Sequence, residues 1–367
     1  SIFHSIFVAN ITLFYSFQKM KRTFFAFLFL FLLLSCKKEE KFTLNDWQKI
    51  SENVAFKSDG DFVKLKSGKF NYNIPVSKLP FKKVMLLNAS LVGYFTELSL
   101  EDKIIGISSP EYVYSEKIHS LISEGKIQNI GNEQKYDIEK IIALKPDAVF
   151  TNYIASFDNT YDLIRKNGIE IIFLDEYLEQ NPLEKSKYLM VFGRLLGPEE
   201  ASVVRFNEIQ SSYDSLKALA QKGQYKPVVL ANEMYGNQWF LPGGKTNLAT
   251  LIADANAKYI NAENSDSKAV PLSFEEVFAK SQNAEFWVNV GNHKTKKELL
   301  QINPNYTKMN VYHHGKLYTV SGREKGSAND FFESGVVRSD LILKDYIKIF
   351  HPELLPNYNL TYLKPLK

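Results

Sequence analysis

From Pro198 to Lys222 the chain carries one unbroken amphipathic pattern. Phe206, Ile209, Tyr213, Leu216 and Ala220 recur at spacings of three and four, which is one face of an α-helix. Gly197-Pro198-Glu199-Glu200 is a start signal, with Pro at the first helical position and two carboxylates in the first turn. Lys217 and Lys222 lie near the end, and Gly223 offers the left-handed stop. These 25 residues span roughly 37 Å at ~1.5 Å each, the diameter of a whole domain. A helix of that length is either laid along one domain or set as a strut between two.

The flanking sequence favours the strut. Short β-type runs recur on both sides: Val84–Leu87, Ile104–Ile107, Ala148–Thr151 and Ile169–Leu174 before it, Val228–Ala231, Phe286–Val290 and Leu317–Val320 after it. Helix-type segments separate many of them, as in βα units with parallel sheets. Asp137-Ile138-Glu139-Lys140-Ile141-Ile142-Ala143 also echoes Ser273-Phe274-Glu275-Glu276-Val277-Phe278-Ala279 at a constant offset of 136, and Phe150 echoes Phe286 in the same register. Each copy reads as a capped short helix followed by a strand, Asp137 and Ser273 being the caps and Ser273 with Glu276 a capping box. A length of 367 residues suits two α/β lobes, expected at 43–180 and 223–367, with a helical segment 181–222 between them. Residues 43–82, with alternation such as Phe70-Asn71-Tyr72-Asn73-Ile74, read as a β-hairpin on the first lobe.

The beginning of the chain reads as an address. Lys21 and Arg22 precede the apolar run Phe24 to Leu34, which ends at Ser35-Cys36. Eleven residues make a helix of only ~16 Å, about half of the ~30 Å hydrocarbon core. Leu33-Leu34-Ser35-Cys36 resembles the bacterial lipobox, in which the cysteine is lipidated and becomes the first mature residue. We expect Met20 as the start, 1–19 as upstream read-through, 20–35 as a lipoprotein signal peptide and 36–42 as a solvated tether. A retained anchor over 1–34 would bury Lys19, Lys21 and Arg22 near its middle, at several kcal/mol.

Charge and composition exclude several classes. Residues 36–367 carry 42 positive against 41 negative charges, which gives no electrostatic reason to expect nucleic acid. One cysteine excludes an intrachain disulfide and a Cys-based zinc or iron–sulfur site built from this chain alone. The six histidines are scattered, and the loop pair His313-His314 would diverge, so no resident metal site is expected. Gly243-Gly244-Lys245-Thr246 has the tail of a phosphate loop without its first glycine or a strand leading into it. There is no G-x-S-x-G elbow and no H-E-x-x-H helix, and Asp175-Glu176 reads as a solvated acidic pair on a loop. No catalytic residue and no cofactor are expected.

Thr96-Glu97-Leu98, Ile104-Ile105-Gly106-Ile107, and Ile138-Glu139-Lys140-Ile141 with Leu144-Lys145-Pro146-Asp147-Ala148-Val149 stand out in the first lobe. With them the chain resembles the substrate-binding proteins of ABC importers for ferric siderophores, haem and cobalamin, built as two Rossmann-like lobes on one rigid helix. Leu272-Ser273-Phe274-Glu275-Glu276-Val277, Gly315-Lys316-Leu317-Tyr318, Asn329-Asp330-Phe331-Phe332-Glu333 and His351-Pro352-Glu353 continue the likeness. Arg338 stands where the family has proline, and Gln282-Asn283 where the second lobe repeats Pro-Asp.

The resemblance implies a monomer, lipid-anchored in the periplasm, that delivers a metal chelate to a permease of the inner membrane. Glu139 and Glu275 match the paired glutamates that dock on permease arginines; otherwise each would only favour its helix dipole, by about 0.3–1 kcal/mol. The ligand is expected between the lobes, on loops leaving the carboxyl ends of strands. There Tyr112, Tyr114, Tyr153, Tyr177, Tyr235 and Trp239 offer aromatic faces, and Arg323 an anion partner; Trp239 is equally placed to be core, within Trp239-Phe240-Leu241. A ferric siderophore is the leading ligand, with haem and cobalamin as alternatives.

Overall fold

The computed structural model describes residues 47–367. The signal segment 20–35, Cys36 and the tether 36–42 lie outside the described residues. Among the described residues no helix is long and apolar enough to cross a membrane.

The first lobe is built on five parallel strands in the spatial order Glu170–Phe173, Ala148–Thr151, Val84–Leu86, Ile104–Ile107, Gln128–Asn129. Alternate residues serve opposite faces. Leu86, Ile104, Phe150 and Ile172 enter one apolar cluster; Met85, Val149, Ile171 and Phe173 enter another on the far side. A sheet covered on both faces explains why its strands read as continuous apolar runs. Residues 47–75 form not one hairpin but a four-stranded antiparallel meander, Gln48–Lys49, Val54–Asp59, Phe62–Ser67 and Phe70–Pro75. Its inward residues Val54, Phe56, Val63, Leu65, Tyr72 and Ile74 extend the first cluster.

The second lobe has five strands in the order Lys258–Tyr259, Val228–Ala231, Phe286–Val288, Lys316–Thr319, Lys364–Pro365, the last antiparallel to its neighbour. The two lobes therefore wind differently. Counted along the chain, the order is 3-2-1-4-5 in the first and 2-1-3-4-5 in the second. The sequence echo has a structural meaning all the same. In each lobe it covers a helix, Ile138–Leu144 or Phe274–Lys280, and the strand that pairs beside the lobe's first strand where the winding reverses.

Glu199–Ala220 is one helix of 22 residues, about 33 Å long at ~1.5 Å per residue. Pro198 caps it rather than opening it, and it ends two residues short of Lys222. Its buried stripe changes allegiance midway. Phe206 and Ile209 belong to the first lobe's core, whereas Tyr213, Leu216 and Ala220 belong to the second. The helix is thus embedded in both lobes and holds their separation. A second connection links the lobes: Val337, from the second half of the chain, is buried in the first lobe's core, and Ser186 Oγ donates to the Val337 carbonyl at 2.6 Å.

Candidate functional site

The reversal points of the two sheets face a common groove, and short polar residues stand at the strand ends there. Asn88, Asn152 and Asn289 follow the strands Val84–Leu86, Ala148–Thr151 and Phe286–Val288. All three line a cavity of about 500 Å³ between the lobes. Asn289 takes the left-handed conformation (φ 53°), which asparagine tolerates better than most residues, and its Oδ1 accepts the Tyr346 hydroxyl at 2.7 Å. Asn152 Nδ2 donates to the Leu174 carbonyl (2.6 Å) and to Glu176 Oε2 (2.9 Å), while its Oδ1 accepts from Asn88 Nδ2.

Glu176 is no solvated loop acid. It is 2 % exposed, and its oxygens accept from Ser90 Oγ at 2.6 Å and from Asn152. Burial pushes its carboxyl up, partly offset by those hydrogen bonds. Lys185, on the short helix Pro182–Lys187, lines the same cavity; burial pushes its ammonium down, opposed by the through-space charges of Glu176 and Glu179. Asn247 and Leu251, from the helix Asn247–Asp254, close the side toward the second lobe. At the cavity Tyr177 from the first lobe is 54 % exposed, and Phe332 from the second half is 57 % exposed.

A second groove of about 410 Å³ lies between the lobes and differs in kind. Here Arg323 pairs with Asp330 (3.0 Å) and lies 5.2 Å from the Tyr114 ring, Lys325 pairs with Glu116, and Arg338 meets Asp340 (2.9 Å) and Glu97 (3.8 Å). Glu333 accepts the backbone N–H of Tyr114 (2.5 Å) and Ser115 (3.1 Å) across the lobes, and burial pushes its carboxyl up to about 7. The segment Asn329–Arg338 separates the two spaces. Gly93 lets it seat, because a Cβ there would overlap the Glu333 carbonyl.

Of the residues expected at the ligand, Tyr177 lines the larger cavity, and Tyr114 with Arg323 the ion-rich groove. Trp239 is core: it is fully buried, stacks on Trp287 at 5.5 Å, and its Nε1 donates to the Ala231 carbonyl. Tyr153 is turned against Phe70 and Phe173, which removes its ring from the cavity. Tyr112 is exposed and Tyr235 is 83 % exposed on a hairpin, and neither lines either space. Lys185, Asn247 and Phe332 went unread as site residues, as did the three strand-end asparagines. For the asparagines a signal exists: a polar residue directly behind an apolar β-run, as in Leu86-Leu87-Asn88 or Val288-Asn289.

Glu139 and Glu275 are the second residues of their two helices, directly behind the capped position, and both are exposed. Asp137 caps the first at Lys140 N (3.0 Å), and Ser273 with Glu276 forms a reciprocal capping box on the second. A strand, Gln238–Pro242, does lead into Gly243-Gly244-Lys245-Thr246, contrary to expectation. The backbone N–H groups of Gly243, Gly244 and Lys245 are nevertheless spent on the carbonyls of Lys268, Asn264 and Asp266, so the loop is no phosphate cradle. His313 and His314 end a short helix rather than a loop, and among the described residues no group of His, Cys, Asp and Glu could hold a metal ion.

With this geometry in view, the pattern of the family described as periplasmic binding protein matches residues 84–323. The chain belongs to that family. A lipoprotein of Methanocaldococcus jannaschii, itself uncharacterized, is 21 % identical over 294 residues, covering 78 % of this chain and 69 % of its own. The periplasmic heme-binding protein HutB of Vibrio cholerae shares the fold at 13 % identity, with a TM-score of 0.59 over 74 % of this chain and 99 % of its own. Helicobacter pylori CeuE, solved with Ni(II) bound, shares it at 18 % identity, with a TM-score of 0.59 over 81 % of this chain and 91 % of its own. As a periplasmic binding protein, the chain has the two α/β lobes and single backbone helix of the helical-backbone class.

Proposed function

We propose that this protein is the lipid-anchored binding component of an ABC importer that takes a metal chelate between its lobes and hands it to a permease of the inner membrane. The observation that carries the reading is the 500 Å³ cavity at the reversal points of both sheets, between two lobes whose cores share one embedded helix. That size suits a compact chelate or part of a macrocycle. A ferric siderophore leads, with haem and cobalamin as alternatives; among the relatives, HutB is a heme-binding protein and CeuE was solved with Ni(II) bound. Anchoring through Cys36 would keep the receptor beside its permease.

Glu139 and Glu275 are the docking contacts in this reading. They are exposed, stand at equivalent helix positions, and form no salt bridge among the described residues. Two carboxylates on a stiff frame can meet a two-fold permease at both ends and set its orientation. The double variant Glu139→Ala with Glu275→Ala should abolish uptake in cells while the purified protein binds its chelate as before. Normal uptake by that variant would remove the docking role.

A further inference from the structure

The larger cavity carries more information about its guest than size and place. We infer that it selects a chelate that is uncharged overall and that presents carbonyl or hydroxamate oxygens to Lys185 and Asn247, with its flat or apolar body against Tyr177 and Phe332. This rests on the chelate-receptor reading and narrows it.

The charge count comes first. Among the lining residues Glu176 and Lys185 alone carry full charges, and they cancel. Glu179 adds a second carboxylate whose field reaches Lys185. A polyanionic chelate would therefore meet one ammonium already facing two carboxylates, in a site where burial strengthens every charge–charge interaction. Arginine and lysine side chains able to neutralise such a guest stand in the other groove, where Arg323, Lys325 and Arg338 already have carboxylate partners.

The unspent hydrogen bonds come second. The acceptors at the floor are taken: Glu176 by Ser90 and Asn152, Asn152 Oδ1 by Asn88, and Asn289 Oδ1 by Tyr346. Donors are left over. The Lys185 ammonium makes no hydrogen bond or salt bridge to a described residue, and Asn247 Nδ2 is buried without an acceptor. A buried donor without a partner costs free energy, so the site is completed by a guest that brings acceptors. Neutral carbonyl or hydroxamate oxygens supply them without adding charge. Tyr177 and Phe332, more than half exposed beside the same space, supply the apolar contact.

The test titrates the purified protein, by intrinsic fluorescence, with two neutral probes and two anionic ones. The neutral pair is a ferric tris-hydroxamate and cyanocobalamin, which also tells the two sources of acceptor oxygen apart. The anionic pair is a ferric tris-catecholate and haemin. One neutral probe should bind at least about tenfold tighter than both anionic ones, with little dependence on salt. Lys185→Met and Asn247→Leu should each weaken that probe about tenfold, the worth of one hydrogen bond, with unchanged melting curves. Tighter binding of either anionic probe would overturn the inference and leave the chelate receptor standing. Binding of none of the four by the unaltered protein would overturn both. The wild-type comparison decides the matter even if a variant does not fold.

Discussion

The two spaces between the lobes lie on either side of Asn329–Arg338 and could hardly differ more. The larger one holds a single cancelling charge pair, several amides and two exposed rings. The smaller one holds three cations and four acids, nearly all engaged with one another, with nearby acids or with backbone N–H groups across the lobes. A space whose polar groups are mutually satisfied braces a structure; one with unspent donors and bare aromatic faces is open to a guest. In the proposed reading the ion-rich groove braces the lobes and the cavity takes the chelate.

Truncating the rings should break this comparison most visibly. Tyr177→Ala with Phe332→Ala should lower chelate affinity by about a hundredfold, as expected for two desolvated aromatic contacts, in a calorimetric titration. Tyr114→Ala and Arg323→Ala, in the other groove, should each leave affinity within about threefold. Equal losses in both grooves would erase the distinction.

Next in size is the seat of the dividing segment. Gly93→Ala places a methyl group against the Glu333 carbonyl and should cost about 2–3 kcal/mol of stability, read as a lowered denaturation midpoint. An unchanged midpoint would mean that the segment does not press on the first lobe.

Glu333 makes the brace sensitive to pH. Its carboxyl is pushed from 4.5 up to about 7 by burial and by Asp330, against two backbone N–H donors and Arg323. The native protein therefore holds a proton that the unfolded chain releases. Its contribution to stability falls as pH rises from about 4.5 to about 7 and is flat above that, a change on the order of 3 kcal/mol. Glu333→Gln should lack that slope, so the difference between the two proteins' urea midpoints should change across the range. A slope shared by both proteins would assign it to other groups.

The smallest expected effect concerns Glu97, which meets Arg205 of the backbone helix at 2.7 Å and Arg338 at 3.8 Å. Glu97→Gln should cost about 1 kcal/mol, reduced by salt, in thermal melts. Arg338, where a proline was expected from sequence, thereby ties the helix Ser339–Phe350 to the first lobe.

How much of this was legible depended on whether a local pattern or a distant partner decided the outcome. The backbone helix declared itself because its buried stripe obeys the 3.6-residue period. The strands did so because sheets covered on both faces need continuous apolar runs. The site was harder. Trp239 and Tyr153 look like ligand aromatics on loops, but their fate was set by Trp287 and by Phe70 with Phe173, far away in sequence. Glu176 looked solvated because Ser90 and Asn152, which bury it, come from other segments. Lys185 lies on a short helix that only the fold brings to the cavity.

A crystal structure with a bound chelate decides the division of labour between the two spaces. The chelate should lie against Asn152, Asn289, Tyr177 and Phe332, with Glu199–Ala220 unbent and the ion pairs of the other groove intact. A chelate seated instead on Tyr114 and Arg323, with those ion pairs broken, would contradict it.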